Sequence, residues 1–254
     1  MKELICTENI INENFTHLGK FIVEPLEIGQ GITLGNALKR ILLTDLTGFA
    51  ITSFKINGVK HEFGVLEGLR EDIFEIILNL KEIIFKSSIF DNSMQKKWIS
   101  NLIIKGPRIV TAGMLKLPKN QIKIVNPNQY ICSISDETEF FLEIEIEKGK
   151  GYKFVEDSSK LESNNILSPL IASNLRIDAL FAPIKNVNYK IKLIHDAFGN
   201  LKESLHLDIL TNGSLTPLRG LQEAFKILLE LIFPLVGNKN LLNISSSLAV
   251  SYLN

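Results

Sequence analysis

The sequence predicts an α+β protein. Two observations carry this: short alternating strands and three well-spaced amphipathic helices. "FLEIEIEKG" alternates strictly, with Leu142, Ile144 and Ile146 on one face and Glu143, Glu145 and Glu147 on the other. That is a half-buried antiparallel strand. "EGLREDIFEIILNLKEIIFK" repeats with helical spacing, placing Leu69, Ile73, Ile76, Ile77, Leu80 and Ile84 on one stripe. "TPLRGLQEAFKILLELIF" starts with Thr216 as cap and Pro217 in the first turn, where a missing N–H costs little.

In chain order, "FIVEPLEIG" reads as a strand, with Pro25 suited to an edge or a bulge. The next helix takes Thr33 as its N-cap and Gly48 as its stop. Its apolar stripe is Leu34, Leu38, Ile41 and Leu42, with Asp45 in line, while Asn36 and Arg40 share another face. "AITSFKINGVKHEF" predicts a hairpin turning at Asn57-Gly58. Glu71 and Asp72 lie at the positive end of the following helix, and Lys81 and Lys86 at its negative end. Strands dominate from Phe90 to Tyr152, and the polar run Glu156 to Asn165 is a loop. Strands at Val187–Ile194 and Leu201–Thr211 flank a turn at Phe198-Gly199-Asn200. The last helix is apolar round most of its girth, through Leu218, Leu221, Phe225, Leu228, Leu229, Leu231, Ile232 and Phe233. Such a helix needs cover on more than one side, which a second chain supplies.

Composition narrows the function. The chain has 254 residues, and 28 Lys and Arg balance 28 Asp and Glu. A protein held by phosphate contacts carries a basic excess, so direct DNA binding is disfavoured. Two cysteines, Cys6 and Cys132, without a CxxC offer neither a metal cage nor a disulfide framework. The N-terminus resembles neither a signal nor a transit peptide. No uncharged apolar run approaches the ~20 residues that span a bilayer. Lys outnumbers Arg 23 to 5, the bias of an AT-rich genome such as a plastid's.

The stretch "GQGITLGNALKR" invites a phosphate-loop reading, but its GxGxxxG spacing is one residue too long for a dinucleotide fingerprint. Gly35 is followed by Asn36 and Ala37, so a P-loop fails too. The glycines serve to turn the chain. His61-Glu62, read as adjacent strand residues, point to opposite faces and form no dyad. The Glu143, Glu145 and Glu147 ladder is a solvated strand face. No residue set is assigned to catalysis, to a metal or to a cofactor, and the reading is an assembly protein.

"EPLEIGQGITLGNALKRILL", "GVKHEF", "EGLREDIFEIILNLK", "NPNQYIC", "KGKGY", "IDALFAPIKNVNY" and "TNGSLTP" occur in this order. Together they resemble the amino-terminal region of the α subunits of bacterial and plastid-type DNA-directed RNA polymerases, from about Phe21 to Leu229. The resemblance implies a discontinuous dimerisation domain of residues 1–48 and 184–238, an antiparallel sheet with two interface helices. It also implies an inserted β-rich domain at 49–183 and a short tail at 239–254, too short for a carboxy-terminal DNA-binding domain. It implies a non-catalytic subunit of a nucleotidyltransferase that forms a homodimer and scaffolds the β and β′ subunits, β′ being split in plastids and cyanobacteria. DNA would be met only through the assembled enzyme, with no membrane and no cofactor involved, in the plastid stroma rather than a bacterial cytoplasm. By motif match, Asn36 and Arg40 are the expected β contacts, and Lys81 and Ile177 the expected β′ contacts. Lys81 reads equally as a solvated helix-end cation. Leu38, Ile41, Leu42, Leu221, Phe225, Leu228, Leu229 and Ile232 are the expected dimer interface. Two other readings remain beside this one: a free-standing dimeric scaffold that no longer joins polymerase, and a nucleotide-binding enzyme.

Overall fold

The computed structural model describes residues 3–12, 15–59, 61–87, 97–118, 121–155, 175–196 and 198–236. The loop expected at 156–165 and the tail at 239–254 lie outside them. The described residues are mostly strand, with three α-helices, as an α+β fold requires.

One antiparallel sheet joins the two ends of the chain. Its strands are β1 (Glu3–Ile11), β2 (His17–Leu26), β13 (Ile184–His195) and β14 (Leu201–Thr211), in the order β1-β2-β14-β13. Phe21, Val23, Leu205, Leu207, Ile209 and Val187 point to one side and are buried. Two helices, α1 (Gln30–Thr44) and α3 (Pro217–Ile232), pack together over that side. They close a first core with Leu38, Ile41, Leu42, Leu46, Leu221 and Ala224. Pro25 sits on an inner strand at a bulge, where the pairing of β2 with β14 slips between Leu26 and Val23. The bulge removes the need for its missing N–H.

The intervening chain builds a second sheet. Strand β3 (Thr47–Ile56) pairs with β9 (Glu139–Lys150), which pairs with β5 (Lys97–Lys105). The short β11 (Leu175–Arg176) completes the order β11-β3-β9-β5. Helix α2 (Ile73–Lys81) buries Ile73, Ile76, Ile77 and Leu80 against Phe54, Ile131, Leu142 and Ile144 in a second core. Small ladders surround it: β4 (Phe85–Ser87) with β7 (Ile122–Ile124), β6 (Arg108–Thr111) with β8 (Tyr130–Ile134), and β10 (Tyr152–Lys153) with β12 (Ala179–Leu180).

Phe181 is buried against β3 and β9. A Cβ on Gly48 would fall on its carbonyl oxygen, and one on Gly149 would sit 2.9 Å from its ring. Gly48 is therefore not a helix stop. It lies in β3, and α1 ends at Thr44 with Asp45 as C-cap.

Several local expectations are corrected. Asn57-Gly58 turns the chain, but no second hairpin strand follows among the described residues. Gly58 adopts φ 85, and the N–H of Val59 returns to Ile56 at 3.3 Å. The β3 edge is taken instead by β9 and β11. His61 and Glu62 lie in a turn and are both exposed, not split between faces. Helix α2 is shorter than its sequence stripe. Leu69 bridges Ile134 as a strand residue, and Ile84 accepts the N–H of Val125 after the helix has ended. Glu71 directly precedes the Asp72 N-cap of α2, but its carboxylate turns to β8, where it accepts the Tyr130 hydroxyl and the Ser133 N–H. Lys81 is the last helical residue and Lys86 belongs to β4. Strand β1 has no counterpart in the sequence reading, because both its faces are exposed and it shows no alternation.

Candidate functional site

The glycine-rich loop leads directly into α1. Gly29 turns the chain in the left-handed region at φ 87 and occupies the N-cap, and helix starts at Gln30. Thr33 is not the cap: its hydroxyl donates back to the Gly29 carbonyl at 3.1 Å. The positive end of α1 is neutralised from within the chain. Glu203 on β14 accepts the Gly29 N–H at 2.9 Å and the Gly31 N–H at 2.8 Å. Glu203 is only 8% exposed. Helix N-termini favour anions, and this one holds its own.

Gly31 and Gly35 are not turn residues. They lie one turn apart inside the helix and let it settle on the sheet. A Cβ on Gly31 would stand 2.7 Å from a Glu203 oxygen, and one on Gly35 2.8 Å from the Tyr189 ring. The approach fixes which face of α1 points outward. Asn36 and Arg40 lie on that exposed face, one turn apart. Tyr189 donates its hydroxyl to the Asn36 side-chain Oδ1 at 2.7 Å. No ion pair engages Arg40 among the described residues.

Leu38, Ile41, Leu42 and Leu221 do not form an outer surface. They are closed in the chain's own first core, because α1 and α3 cover each other and the sheet. The outer apolar surface is the second half of α3. Leu229 is 66% exposed, Leu231 65% and Ile232 48%, and Phe225 and Leu228 are half-buried beside them. Ile177 is likewise buried: its N–H donates to the Thr52 carbonyl at 3.0 Å, and its side chain joins the second core. Lys81 is exposed at the end of α2, in line with the exposed Phe74 and Leu78 at helical spacing. Lys81 and Ile177 therefore occupy different environments, one on a surface and one beneath it.

The acidic strand face is not merely solvated. Lys97 bonds Glu145 at 2.8 Å and Glu147 at 2.9 Å, Lys153 bonds Glu147 at 2.7 Å, and Ser53 donates to Glu145 at 2.8 Å. Burial opposes ionisation of both glutamates, yet these donors outweigh it and hold both carboxyls below their ordinary range. The arrangement fastens β5 and β10 to β9.

Among the described residues, Arg40, Lys81 and the end of α3 present surfaces. The family model of the RNA polymerase Rpb3/RpoA insert domain matches residues 54–182, which hold most of the second core. A DNA-directed RNA polymerase subunit alpha of Pyrenomonas salina is 43% identical over 233 residues, covering 92% of this chain and 70% of that protein. The chain belongs to the α-subunit family of DNA-directed RNA polymerase. Other α subunits tell the same story. That of Phaeodactylum tricornutum is 41% identical, with 89% of this chain and 68% of that protein covered. That of Gloeobacter violaceus is 39% identical, with 91% and 69% covered.

Sequence reasoning did not find Glu203. The signal was there: Leu201, Glu203, Leu205, Leu207 and Ile209 share one strand phase, and a carboxylate among them needs a buried donor.

Proposed function

We propose that this chain acts as the homodimeric scaffold on which the polymerase assembles, one copy holding the β subunit and the other β′. As an α subunit of DNA-directed RNA polymerase it serves transcription and belongs to a nucleotidyltransferase without catalysing the transfer. The observation that carries this reading is the 43% identity with a polymerase α subunit across 92% of the chain. In this account residues 1–48 and 184–238 form the dimerisation domain, and 49–183 is inserted into it. The exposed second half of α3 supports dimerisation, because uncovered apolar surface of this kind marks an interface. Phe225, Leu228, Leu229 and Ile232 meet the partner, while Leu38, Ile41, Leu42 and Leu221 hold the helices in place beneath them.

Asn36 and Arg40 face the β subunit. Arg suits the role, since its planar fork binds a carboxylate or two carbonyls. Lys81 faces β′, and Ile177 supports that side from below. DNA is reached only through the assembled enzyme. The algal and cyanobacterial relatives and the Lys-rich composition favour a plastid stroma.

Light scattering tests the dimer. The wild type is expected at twice the chain's 28.5 kDa. Leu229→Lys combined with Ile232→Lys is expected to give a folded monomer. A wild type that stays monomeric at micromolar concentration would overturn the scaffold.

A further inference from the structure

We infer that Tyr189 is a positioning residue: it engages the Asn36 carbonyl oxygen so that the outer face of α1 presents the amide and guanidinium donors, and the matching occupant is a carboxylate-bearing segment of the β subunit. The inference rests on the proposed role of Asn36 and Arg40.

An exposed asparagine presents an acceptor or two donors as its amide turns. Here the choice is made by the fold. The Tyr189 ring lies against Gly35, where no side chain fits, and its strand is pinned by pairing of Tyr189 with Leu207. The hydroxyl of this fixed ring donates to Oδ1 of Asn36 at 2.7 Å. Oδ1 is thereby engaged on the protein side, and no hydrogen bond takes up the amide N–H groups among the described residues. One turn on, about 5.4 Å along the axis, Arg40 adds a guanidinium that has donors only.

The two threonine hydroxyls of this face bond back to the helix, and Lys39 beside Asn36 adds a further cation. Thr33 donates to the Gly29 carbonyl at 3.1 Å and Thr44 to the Arg40 carbonyl at 2.9 Å. Helix α1 contains no Asp or Glu. An amide and a guanidinium one turn apart, with no acid on the helix, complement a carboxylate in both charge and hydrogen bonding.

The test measures affinity of the purified chain for the β subunit of the same source, with melting curves to verify folding of each variant. Tyr189→Phe keeps the ring and is expected to weaken binding about 3- to 10-fold, the effect of one hydrogen bond. Asn36→Asp is expected to weaken it more than Asn36→Ala, because it sets a carboxylate against a carboxylate. In the Asn36→Ala background, Tyr189→Phe is expected to cost nothing further, which a general structural role would not produce. Binding is expected to weaken as salt rises. The inference is overturned if Asn36→Asp binds as well as wild type, or if Tyr189→Phe costs the same in both backgrounds. Indifference to salt would overturn the carboxylate and point to backbone carbonyls. Arg40→Ala separates the layers. If it alone loses the β subunit, the assembly reading stands and this inference falls; if it binds like wild type, the reading falls and takes the inference with it.

Discussion

The Glu203 carboxylate accepts the Gly31 N–H at 2.8 Å across 172 positions of sequence. This bond and its twin to Gly29 tie the start of α1 to the middle of the sheet. They set the pitch of the helix that carries Asn36 and Arg40.

Removing that clamp leaves two backbone donors with reduced pairing at a helix N-terminus. Glu203→Ala is expected to cost about 1–3 kcal/mol of stability. Glu203→Gln keeps one acceptor and is expected to lose less. Urea unfolding of the three proteins measures both, and equal stability of Glu203→Ala and wild type would contradict the clamp.

Gly48 makes the tightest approach of any glycine among the described residues, since a Cβ there falls on a backbone oxygen of Phe181. A backbone cannot rotate away as a side chain can. Gly48→Ala is expected to cost at least about 3 kcal/mol, the upper end of overpacking penalties, or to prevent folding. Gly199→Ala is its control for steric crowding: a Cβ there has no atom within 4 Å, and its cost comes only from φ 78. Thermal melting distinguishes the two.

The Lys97 cluster predicts a specific pH response. The Glu145 and Glu147 carboxyls sit below their ordinary 4.5 in the folded chain, so the unfolded chain takes up protons first. Their contribution is complete above that value and is lost as pH falls through the folded values. Hydrogen bonds donated to the Glu145 and Glu147 carboxylates raise the Lys97 ammonium above 10.5, so its share is lost only as pH rises through that raised value. Lys97→Met is expected to flatten the acid limb of the stability curve, with little change between pH 6 and 9 on the scale of these ordinary values. Denaturation midpoints across acid pH measure it.

The two thiols differ. Cys132 is fully buried, and burial, helped by the Glu71 charge, pushes it up to about 12, while Cys6 is exposed. A thiol reagent at mildly alkaline pH is expected to label one site quickly in the folded chain and both in denaturant. Rapid double labelling without denaturant would contradict the buried environment of Cys132.

Much of the framework was legible. Strict alternation announced β9, and a long apolar phase with a turn announced β13 and β14. Helix α3 followed from its cap, its proline and its period. The misses have physical causes. Strand β1 lies at a sheet edge with both faces exposed, so no alternation marks it. The ends of α2 continue its apolar period but are claimed by strand partners Ile134 and Val125. Gly31 and Gly35 look like turn residues because sequence alone cannot distinguish a bend from a close approach. Leu38 and Leu42 read as an interface because a stripe shows that a face is buried, not which chain buries it. The clamp by Glu203 and the bond from Tyr189 are long-range contacts that only the folded sheet creates.

The most direct test of the central claim is co-purification. The tagged chain is expressed with the β subunit of the same source, and the mass of the complex is measured beside that of Arg40→Ala. The account predicts two copies of this chain per β subunit for wild type, and for the mutant a dimer that has lost it. A wild type that dimerises but never holds the β subunit would contradict the account and leave a free-standing scaffold in its place.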